Sequence, residues 1–139
     1  HYNQVTLADG RVLMTGGVNI PNLLGATTAA PIAGAEAYNP TTNTWQTFNM
    51  PNARALHTAT RLPDGRVVCA GGAQGTLLAP TSIDLVDVFN PATNTWSPAN
   101  VLSQPRASHV AQLLPDGTLA LFGGQGASVS LSDIELLRY

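Results

Sequence analysis

Lysine is absent from this sequence of 139 residues, and charged residues of all kinds make up only 10% of it. All six basic residues are arginines, and the formal net charge is −2. The arginines are spread along the chain rather than clustered, so the sequence offers no basic patch that could follow a phosphate backbone. Nucleic acids and anionic membrane surfaces are therefore not expected as partners, and a Walker-type phosphate loop, which needs a lysine, is excluded.

Cysteine and long hydrophobic runs are equally scarce. Cys69 is the single cysteine, so no internal disulfide can form, and a secreted or periplasmic location stays open. No apolar run approaches the roughly 20 residues that a membrane-spanning helix needs, so membrane insertion is not expected. The chain begins at His1 without a charged and apolar leader, which we interpret as the start of a mature product or of a piece of a longer protein.

The sequence does contain one unit that is repeated almost three times. Each copy opens with histidine and ends in Gly-Gly; the copies are residues 1–17, 57–72 and 109–124. Trp45 and Trp96, and likewise Arg54 and Arg106, recur at nearly the same interval. Self-similarity at a fixed period predicts a solenoid or a propeller built from one supersecondary unit.

Each unit predicts a β-hairpin around an Asp-Gly pair. Asp-Gly between apolar runs favours a type I′ turn, which needs positive φ at both central residues. The predicted first strands are Tyr2–Leu7, Thr58–Leu62 and Val110–Leu114. The predicted second strands are Arg11–Thr15, Arg66–Ala70 and Thr118–Phe122.

The second strand is apolar at successive positions, as in Val67-Val68-Cys69 and Leu119-Ala120-Leu121. A strand of this kind is buried on both faces. We therefore expect each hairpin to lie between two neighbouring sheets, as a propeller blade does. A two-sheet sandwich fits less well, because it would leave one face of the strand polar.

Two further strands complete the unit. The third carries an acidic residue two positions before an apolar or aromatic one: Glu36-Ala37-Tyr38, Asp87-Val88-Phe89 and Glu135-Leu136-Leu137. The fourth follows an Asn-Pro turn, in which Asn43 or Asn94 can adopt the left-handed conformation, and ends near Trp45 or Trp96. The unit is thus predicted to have four strands.

These motifs resemble kelch repeats over essentially the whole chain, and their Leu-Pro-Asp-Gly turns are most similar to bacterial kelch proteins and galactose oxidase propellers. The structural motif residues are Gly16, Gly17, Gly71, Gly72, Gly123, Gly124, Trp45, Trp96, Arg54 and Arg106. The resemblance implies an all-β fold of four-stranded antiparallel blades around an axis, usually six or seven of them.

The number of units departs from that family pattern. The repeats cover about residues 1–50, 51–102 and 103–139 of a single propeller segment, and the last lacks its outer strand. Three blades cannot close a ring, and a closed ring is what removes exposed strand edges. We therefore expect this chain to be part of a longer propeller or, alternatively, to associate edge to edge into a homo-oligomer that completes the ring.

The segments after each Gly-Gly vary in length, from Val18 to about Ile32, from Ala73 to Thr81, and from Gln125 to Ser130. Variable insertions at one point of a repeat map to one face of the assembly, commonly its binding face. The chain is therefore predicted to be a non-catalytic module that binds a protein or a carbohydrate. The candidate contact residues are Asn19, Ile20, Asn22, Leu23, Gly75, Thr76, Leu77 and Gln125.

The titratable residues of the repeat do not form a convincing catalytic or metal site, and no cofactor is predicted. His1, His57 and His109 begin successive first strands and could ring a channel mouth as zinc or copper ligands, but a structural hydrogen-bonding role is the stronger interpretation. Cys69 occupies a core position of the repeat. Arg54 and Arg106 are expected to pair with Glu36, Asp87 or loop carbonyls and so connect the blades.

An enzyme remains the alternative from another functional class. The likeness to galactose oxidase implies, for a copper radical oxidase, two tyrosines, two histidines and a Tyr–Cys thioether around copper. This chain has no Tyr-His dipeptide, and its nearest equivalent, His1-Tyr2, has the opposite order. The oxidase interpretation therefore ranks below the binding module.

Overall fold

The computed structural model describes residues 3–19, 30–75 and 79–139. These ranges are all-β, and none of them contains a helix long and apolar enough to cross a membrane. Within them, eleven strands form three antiparallel blade sheets, and four shorter strands form two separate hairpins. The all-β architecture predicted from the repeats is therefore confirmed.

The first two blades have four strands each, and the third has three. Blade 1 consists, in sheet order, of β1 (Asn3–Thr6), β2 (Val12–Thr15), β5 (Ala35–Asn39) and β6 (Thr44–Thr47). Blade 2 consists of β7 (Thr58–Arg61), β8 (Val67–Ala70), β11 (Val86–Asn90) and β12 (Thr95–Pro98). Blade 3 consists of β13 (Val110–Leu113), β14 (Leu119–Gln125) and β15 (Ser130–Leu137).

The first strand of each blade lies innermost in the assembly. β7 contacts both β1 and β13, so the first strands of successive blades neighbour one another. The tryptophans lie on the outer strands, where Trp45 pairs with Tyr38 and Trp96 with Phe89. This arrangement gives all blades a common direction, with the Asp-Gly turns at one end and the Gly-Gly pairs at the other.

The Asp-Gly hairpins form as predicted, but the predicted type I′ turn is wrong. Only the glycine has positive φ, as in Gly10 at 91°. The N–H of Gly10 donates to the carbonyl of Leu7 at 3.1 Å, and the N–H of Leu7 donates to the carbonyl of Arg11 at 2.8 Å. The connection is thus a three-residue loop, a type I turn closed by a glycine bulge. Aspartate favours this form because its side chain accepts the N–H two residues on, as Asp9 does from Arg11 at 3.0 Å.

Burial on both faces is confirmed for the second strand of blade 2, in which all four residues of β8 are buried. In blade 1 the prediction is wrong, because Val12 and Met14 are only half-buried. In blade 3 it is wrong for Phe122, which is 38% exposed. The reason is positional: these side chains lie on the outward sides of the first and last blades, which no neighbouring sheet of the described chain covers.

Apolar and aromatic side chains fill the space between the blades. Between blades 1 and 2 the Phe89 ring lies 5.7 Å from Phe48 and 5.1 Å from Trp96, and the indole N–H of Trp96 donates to the carbonyl of Phe48 at 2.6 Å. Between blades 2 and 3 the core contains Leu62, Val68, Ala70, Val86, Val88, Leu102, Leu119 and Leu121. Among the described parts of the chain, blade 2 is therefore the blade that packs on both sides.

Candidate functional site: the hairpin face and the blade junctions

In the described residues, the segments after Gly-Gly contain short paired strands rather than only the loops that the sequence predicted. β3 (Val18–Asn19) pairs with β4 (Ala30–Pro31), and β9 (Ala73–Gly75) pairs with β10 (Pro80–Ser82). In blade 3 the same element is an extension of β14 and β15, in which Gln125 pairs with Ser130. Asn19, Gly75 and Gln125 thus lie in strands.

The remaining contact candidates lie outside the described residues. These are Ile20, Asn22, Leu23, Thr76 and Leu77. Their role in binding stays a prediction.

The hairpins of neighbouring blades contact one another and form one surface, which we call the hairpin face (β3–β4, β9–β10 and the β14–β15 extension). The hydroxyl of Ser82 donates to the carbonyls of Gln125 at 2.9 Å and Gly126 at 3.2 Å. The linkers between blades also form part of this surface, because Ala55 pairs with Ala73 and Ala107 pairs with Gln125. The variable segments therefore lie at the Gly-Gly end of the blades.

A cavity of about 250 Å³ opens on the hairpin face between blades 2 and 3. Its lining includes Leu56 and Ser108, which are equivalent residues of the repeat. Both have positive φ, 58° for Leu56 and 55° for Ser108, and the Ser108 N–H donates to the Leu56 carbonyl at 2.9 Å. Such backbone conformations are uncommon outside glycine and persist where surrounding structure enforces them, often at functional sites.

Glycine is required where the linker of one blade meets the Gly-Gly pair of the preceding blade. The N–H of Gly17 donates to the carbonyl of Arg54 at 3.0 Å, and that of Gly72 donates to the carbonyl of Arg106 at 2.8 Å. A Cβ on Gly71 would lie 2.5 Å from the carbonyl oxygen of Arg106 and 3.1 Å from Cε1 of His109. No larger residue fits this close approach of two backbones.

Arg54 contacts blade 1 through its backbone N–H and carbonyl and blade 2 through a fully buried guanidinium group. Its Nη1 donates to three carbonyls, those of Cys69 and Gly71 at 3.0 Å and of Leu85 at 3.1 Å. Its Nη2 forms the predicted ion pair with Asp87, whose side chain is only 1% exposed. Asn52 donates a further hydrogen bond to the same carboxylate at 3.1 Å. The four Arg54 acceptors compensate for removing the guanidinium from water.

Arg106 has the equivalent position between blades 2 and 3. Its Nη1 donates to the carbonyl of Gly123 at 2.8 Å, and its Nη2 contacts Asp133 at 3.1 Å and Glu135 at 3.3 Å. Asp133 was not a predicted partner. It stands where blade 2 has Leu85, so a carboxylate takes over the role of that residue's carbonyl group.

The two described histidines are buried and neutral. Nε2 of His57 lies 2.8 Å from the hydroxyl of Thr15, and Nε2 of His109 lies 2.9 Å from that of Thr58. Burial, with added repulsion from Arg54 and His109, lowers the pKa of His57 to about 3. Burial and the Arg106 charge lower the pKa of His109 to about 4. Each histidine thus reaches across a blade junction.

Cys69 has the surroundings of a core residue. It is fully buried with Ala35 and Met50, and burial raises the pKa of its thiol to about 11. Tyr38 points elsewhere, since its hydroxyl donates to Asn43 at 2.7 Å and its ring packs 5.0 Å from Trp45. Across the described ranges, no group of three or more His, Cys, Asp and Glu side chains is arranged to hold a metal ion.

Sequence reasoning missed two features of these junctions. The threonine partners of the histidines are not equivalent, because Thr15 lies on β2 and Thr58 on β7, so the repeat spacing could not reveal them. The strained pair Leu56 and Ser108 was also missed. The sequence did contain a signal for this pair, because both residues stand at the same position, between Arg-Ala and His, in the two linkers.

Comparisons with known proteins agree with this architecture, although no family model matches the chain. Human Kelch-like protein 33 is 30% identical over 98 residues, which are 70% of this chain and 17% of that protein. The solved structure of YjhT superposes with a TM-score of 0.71 at 18% identity and covers 89% of this chain and 44% of that one. The chain thus spans less than half the length of either protein. Its motifs, its sheets and these similarities together identify it as three successive blades of a kelch-repeat β-propeller.

Proposed function

We propose that this chain is a non-catalytic binding module that presents its hairpin face to a protein or carbohydrate ligand. Kelch-repeat proteins generally act in protein interactions. The observation that carries the proposal is the cavity on the hairpin face, whose lining includes the strained residues Leu56 and Ser108.

The chemistry of the cavity favours an uncharged ligand. Its polar lining residues are Ser82, Ser108 and Gln125, and its apolar ones include Leu56 and Pro80. Hydroxyl and amide groups beside small apolar surfaces suit the hydroxyls of a sugar or the backbone of a peptide. Among the residues that the structure describes, no charged side chain lines this cavity, which argues against a phosphate or carboxylate ligand.

The buried titratable groups of the repeat support a non-catalytic role because they are engaged in blade junctions. The guanidinium of Arg54 is bound to Asp87, and the two described histidines are bound to threonines. A general base or a metal ligand needs a free lone pair that faces a substrate. The surroundings of Cys69 likewise give no support to a copper radical site with a Tyr–Cys thioether.

The test is a screen for ligands followed by variants of the hairpin tip. We expect the chain to bind selected members of a glycan array or peptide array. Replacing Ala127-Ser128-Val129, which follow Gly126 at the tip in blade 3, by Gly-Ser-Gly should weaken the binding at least tenfold, by about the energy of one or two buried contacts.

The matched control is Ala92→Ser in the outer turn of blade 2, far from the Gly-Gly end. It should leave the dissociation constant unchanged. Equal binding by the tip variant, or the absence of specific binding on both arrays, would contradict the proposed function.

A second candidate is edge-to-edge association of chains. It is favoured by the outward side of blade 3, where four apolar side chains are exposed: Val110 at 64%, Phe122 at 38%, Ile134 at 57% and Leu136 at 54%. Exposed apolar surface of this kind marks association sites. Light scattering should then give a dimer mass that Ile134→Asp returns to the monomer, whereas a monomer at all concentrations would reject it.

A further inference from the structure

A second cavity lies at the Asp-Gly end of the blades, opposite the hairpin face, where the innermost strands end. Its volume is about 390 Å³, which is within the usual size of a site for a small molecule. All three blades contribute to its lining, which consists of Ala8, Arg61, Leu62, Pro63, Gly65 and Leu113. We call it the inner cavity.

Arg61 is the one charged residue among the described residues that line the inner cavity. It is the last residue of β7 and is exposed. Its Nη1 donates to the carbonyl of Thr6 at 2.9 Å, so the guanidinium group is held between the first strands of blades 1 and 2. A guanidinium group has five N–H donors, and this bond orients the group while leaving other donors for a ligand.

The charge of Arg61 has no counter-ion within the chain. All eight carboxylates of the sequence lie in the described ranges, and none of them forms an ion pair with Arg61. The nearest one in sequence, Asp64, binds the Nε of Arg66 at 2.8 Å. An unpaired cation at a concave surface with apolar walls attracts an anion.

The repeat itself does not require an arginine at this position. The equivalent residues of blades 1 and 3 are Thr6 and Leu113, each the last residue of its first strand. Arg54 and Arg106, in contrast, recur in both linkers and are buried in the blade junctions. Arg61 is therefore a feature of this one blade rather than of the architecture.

We propose that the inner cavity binds a small monocarboxylic acid with an apolar body, whose carboxylate lies against the guanidinium group of Arg61. The planar fork of a guanidinium group matches the two oxygens of a carboxylate. The side chains of Leu62, Pro63 and Leu113 provide apolar walls for an aromatic ring or a short aliphatic chain. A phosphate ion would leave these walls unused. The site is separate from the hairpin face and does not depend on the ligand proposed there.

The experiment is an NMR titration of the full chain with benzoate, up to about 10 mM and at about pH 7, where the acid is ionised. We expect saturable shifts of the amides of Ala8, Gly65 and Leu113. Benzyl alcohol keeps the ring without the charge, and acetate keeps the carboxylate with almost no apolar body. Each of these, and inorganic phosphate, should bind about tenfold more weakly than benzoate or less tightly still.

The protein variants are Arg61→Gln and, as the control with the same loss of charge, Arg138→Gln. Arg138 is also exposed at the Asp-Gly end but lines a different cavity. Arg61→Gln should weaken benzoate binding about tenfold or more, whereas Arg138→Gln should bind like the original chain. Both variants should keep the urea midpoint of the original chain, since both arginines are exposed.

Four results would each overturn the proposal. They are the absence of a saturable shift with benzoate, equally tight binding of benzyl alcohol or phosphate, benzoate binding that is insensitive to Arg61→Gln, and an equal loss of binding in Arg138→Gln. Because the comparison of ligands uses the unaltered chain, it decides the matter even if a variant fails to fold.

Discussion

At the scale of single residues, the arginines between blades are the most unusual feature of the chain. Arg54 and Arg106 are among the largest fully buried side chains of its described part. An unpaired charge in such a place costs several kcal/mol, so these residues are tolerated because their acceptors surround them. Burial itself lowers the pKa of Arg54. The Coulomb attraction of Asp87 and its hydrogen bond oppose this shift and favour the charged form.

The first prediction concerns the shape of the Arg54 side chain. Arg54→Lys keeps the charge but cannot reach three carbonyls and the Asp87 carboxylate from one planar group. We expect the free energy of unfolding, measured by urea denaturation, to fall by about 2 kcal/mol, because buried acceptors lose their donors.

Arg61→Lys is the control for this substitution. Arg61 is exposed and donates to the Thr6 carbonyl. The change should stay within about 0.5 kcal/mol, as is usual for surface positions. Equal effects of the two substitutions would contradict the structural role of Arg54.

The second prediction is a loss of stability in mild acid. His57 and His109 are neutral in the folded chain because their pKa values are lowered to about 3 and about 4. When unfolded they bind protons near their ordinary pKa of about 6.5, so below that pH the unfolded state binds more protons. Stability is therefore full above about pH 6.5. It should decrease by up to about 1.4 kcal/mol per pH unit for each histidine until the folded pKa is passed.

Urea midpoints measured between about pH 7 and pH 4.5 check this decrease, since the aspartates of the turns titrate below that range. The double variant His57→Gln, His109→Gln keeps a hydrogen-bonding group at each position but removes both titrations. Its stability should vary little over the same interval. An equally steep decrease in the variant would exclude the histidines as the cause.

At the scale of elements, the sequence predicted the hairpins but could not distinguish their turns. Asp-Gly is compatible both with a two-residue type I′ turn and with the three-residue loop that forms. The loop is adopted because the residue before Asp, such as Ala8, joins the turn between Leu7 and Arg11. The predicted left-handed conformation of Asn43 and Asn94 is confirmed, since both have φ of 55°. It was predictable because an Asn after an Asn-Pro turn has few alternatives.

The third prediction separates two reasons for glycine in these elements. Gly65 has φ of 94°, but a Cβ there would meet only the Ala8 Cβ at 3.8 Å, so Gly65→Ala should cost about 1 kcal/mol from backbone strain alone. Gly72 has φ of 108° and would also clash with Ala55 and His57. Gly72→Ala should therefore cost about 3 kcal/mol or more by chemical denaturation.

Gly34→Ala provides the reference, because Gly34 lacks positive φ and its Cβ would make only a 3.4 Å contact with Ile32. We expect its stability to change by less than about 0.5 kcal/mol. If Gly65→Ala proved as costly as Gly72→Ala, close approach of the linker backbone would not be the reason for the Gly-Gly pair.

The hairpins after Gly-Gly lay beyond what the sequence could predict. Their strands are only two or three residues long, with the sequences VN, AQG and PTS in β3, β9 and β10, so they show neither alternation nor an apolar run. Their pairing depends on contacts made after the blades assemble, such as that of Ser82 with Gln125. The Arg54–Asp87 pair, in contrast, was predictable because both residues recur at repeat-equivalent positions.

At the scale of the whole molecule, the three blades form a row in which, within the described residues, only the middle one has neighbours on both faces. Stability in such repeat assemblies is close to a sum of unit and interface contributions. Blade 2 takes part in both junctions through Arg54, Arg106 and the two apolar cores. Blades 1 and 3 each present an outward side, on which Val12 and Met14 are half-buried in blade 1 and Ile134 and Leu136 are exposed in blade 3.

Native-state hydrogen exchange, read residue by residue, tests the central claim that junctions between blades hold this fold together. We predict the greatest protection in β8 and β11, which are buried on both faces, and the least in β6 and β15, the exposed edges of their sheets. Protection should decrease from blade 2 toward either end. Uniform protection across the three blades, or greater protection in blade 1 or blade 3 than in blade 2, would contradict the account.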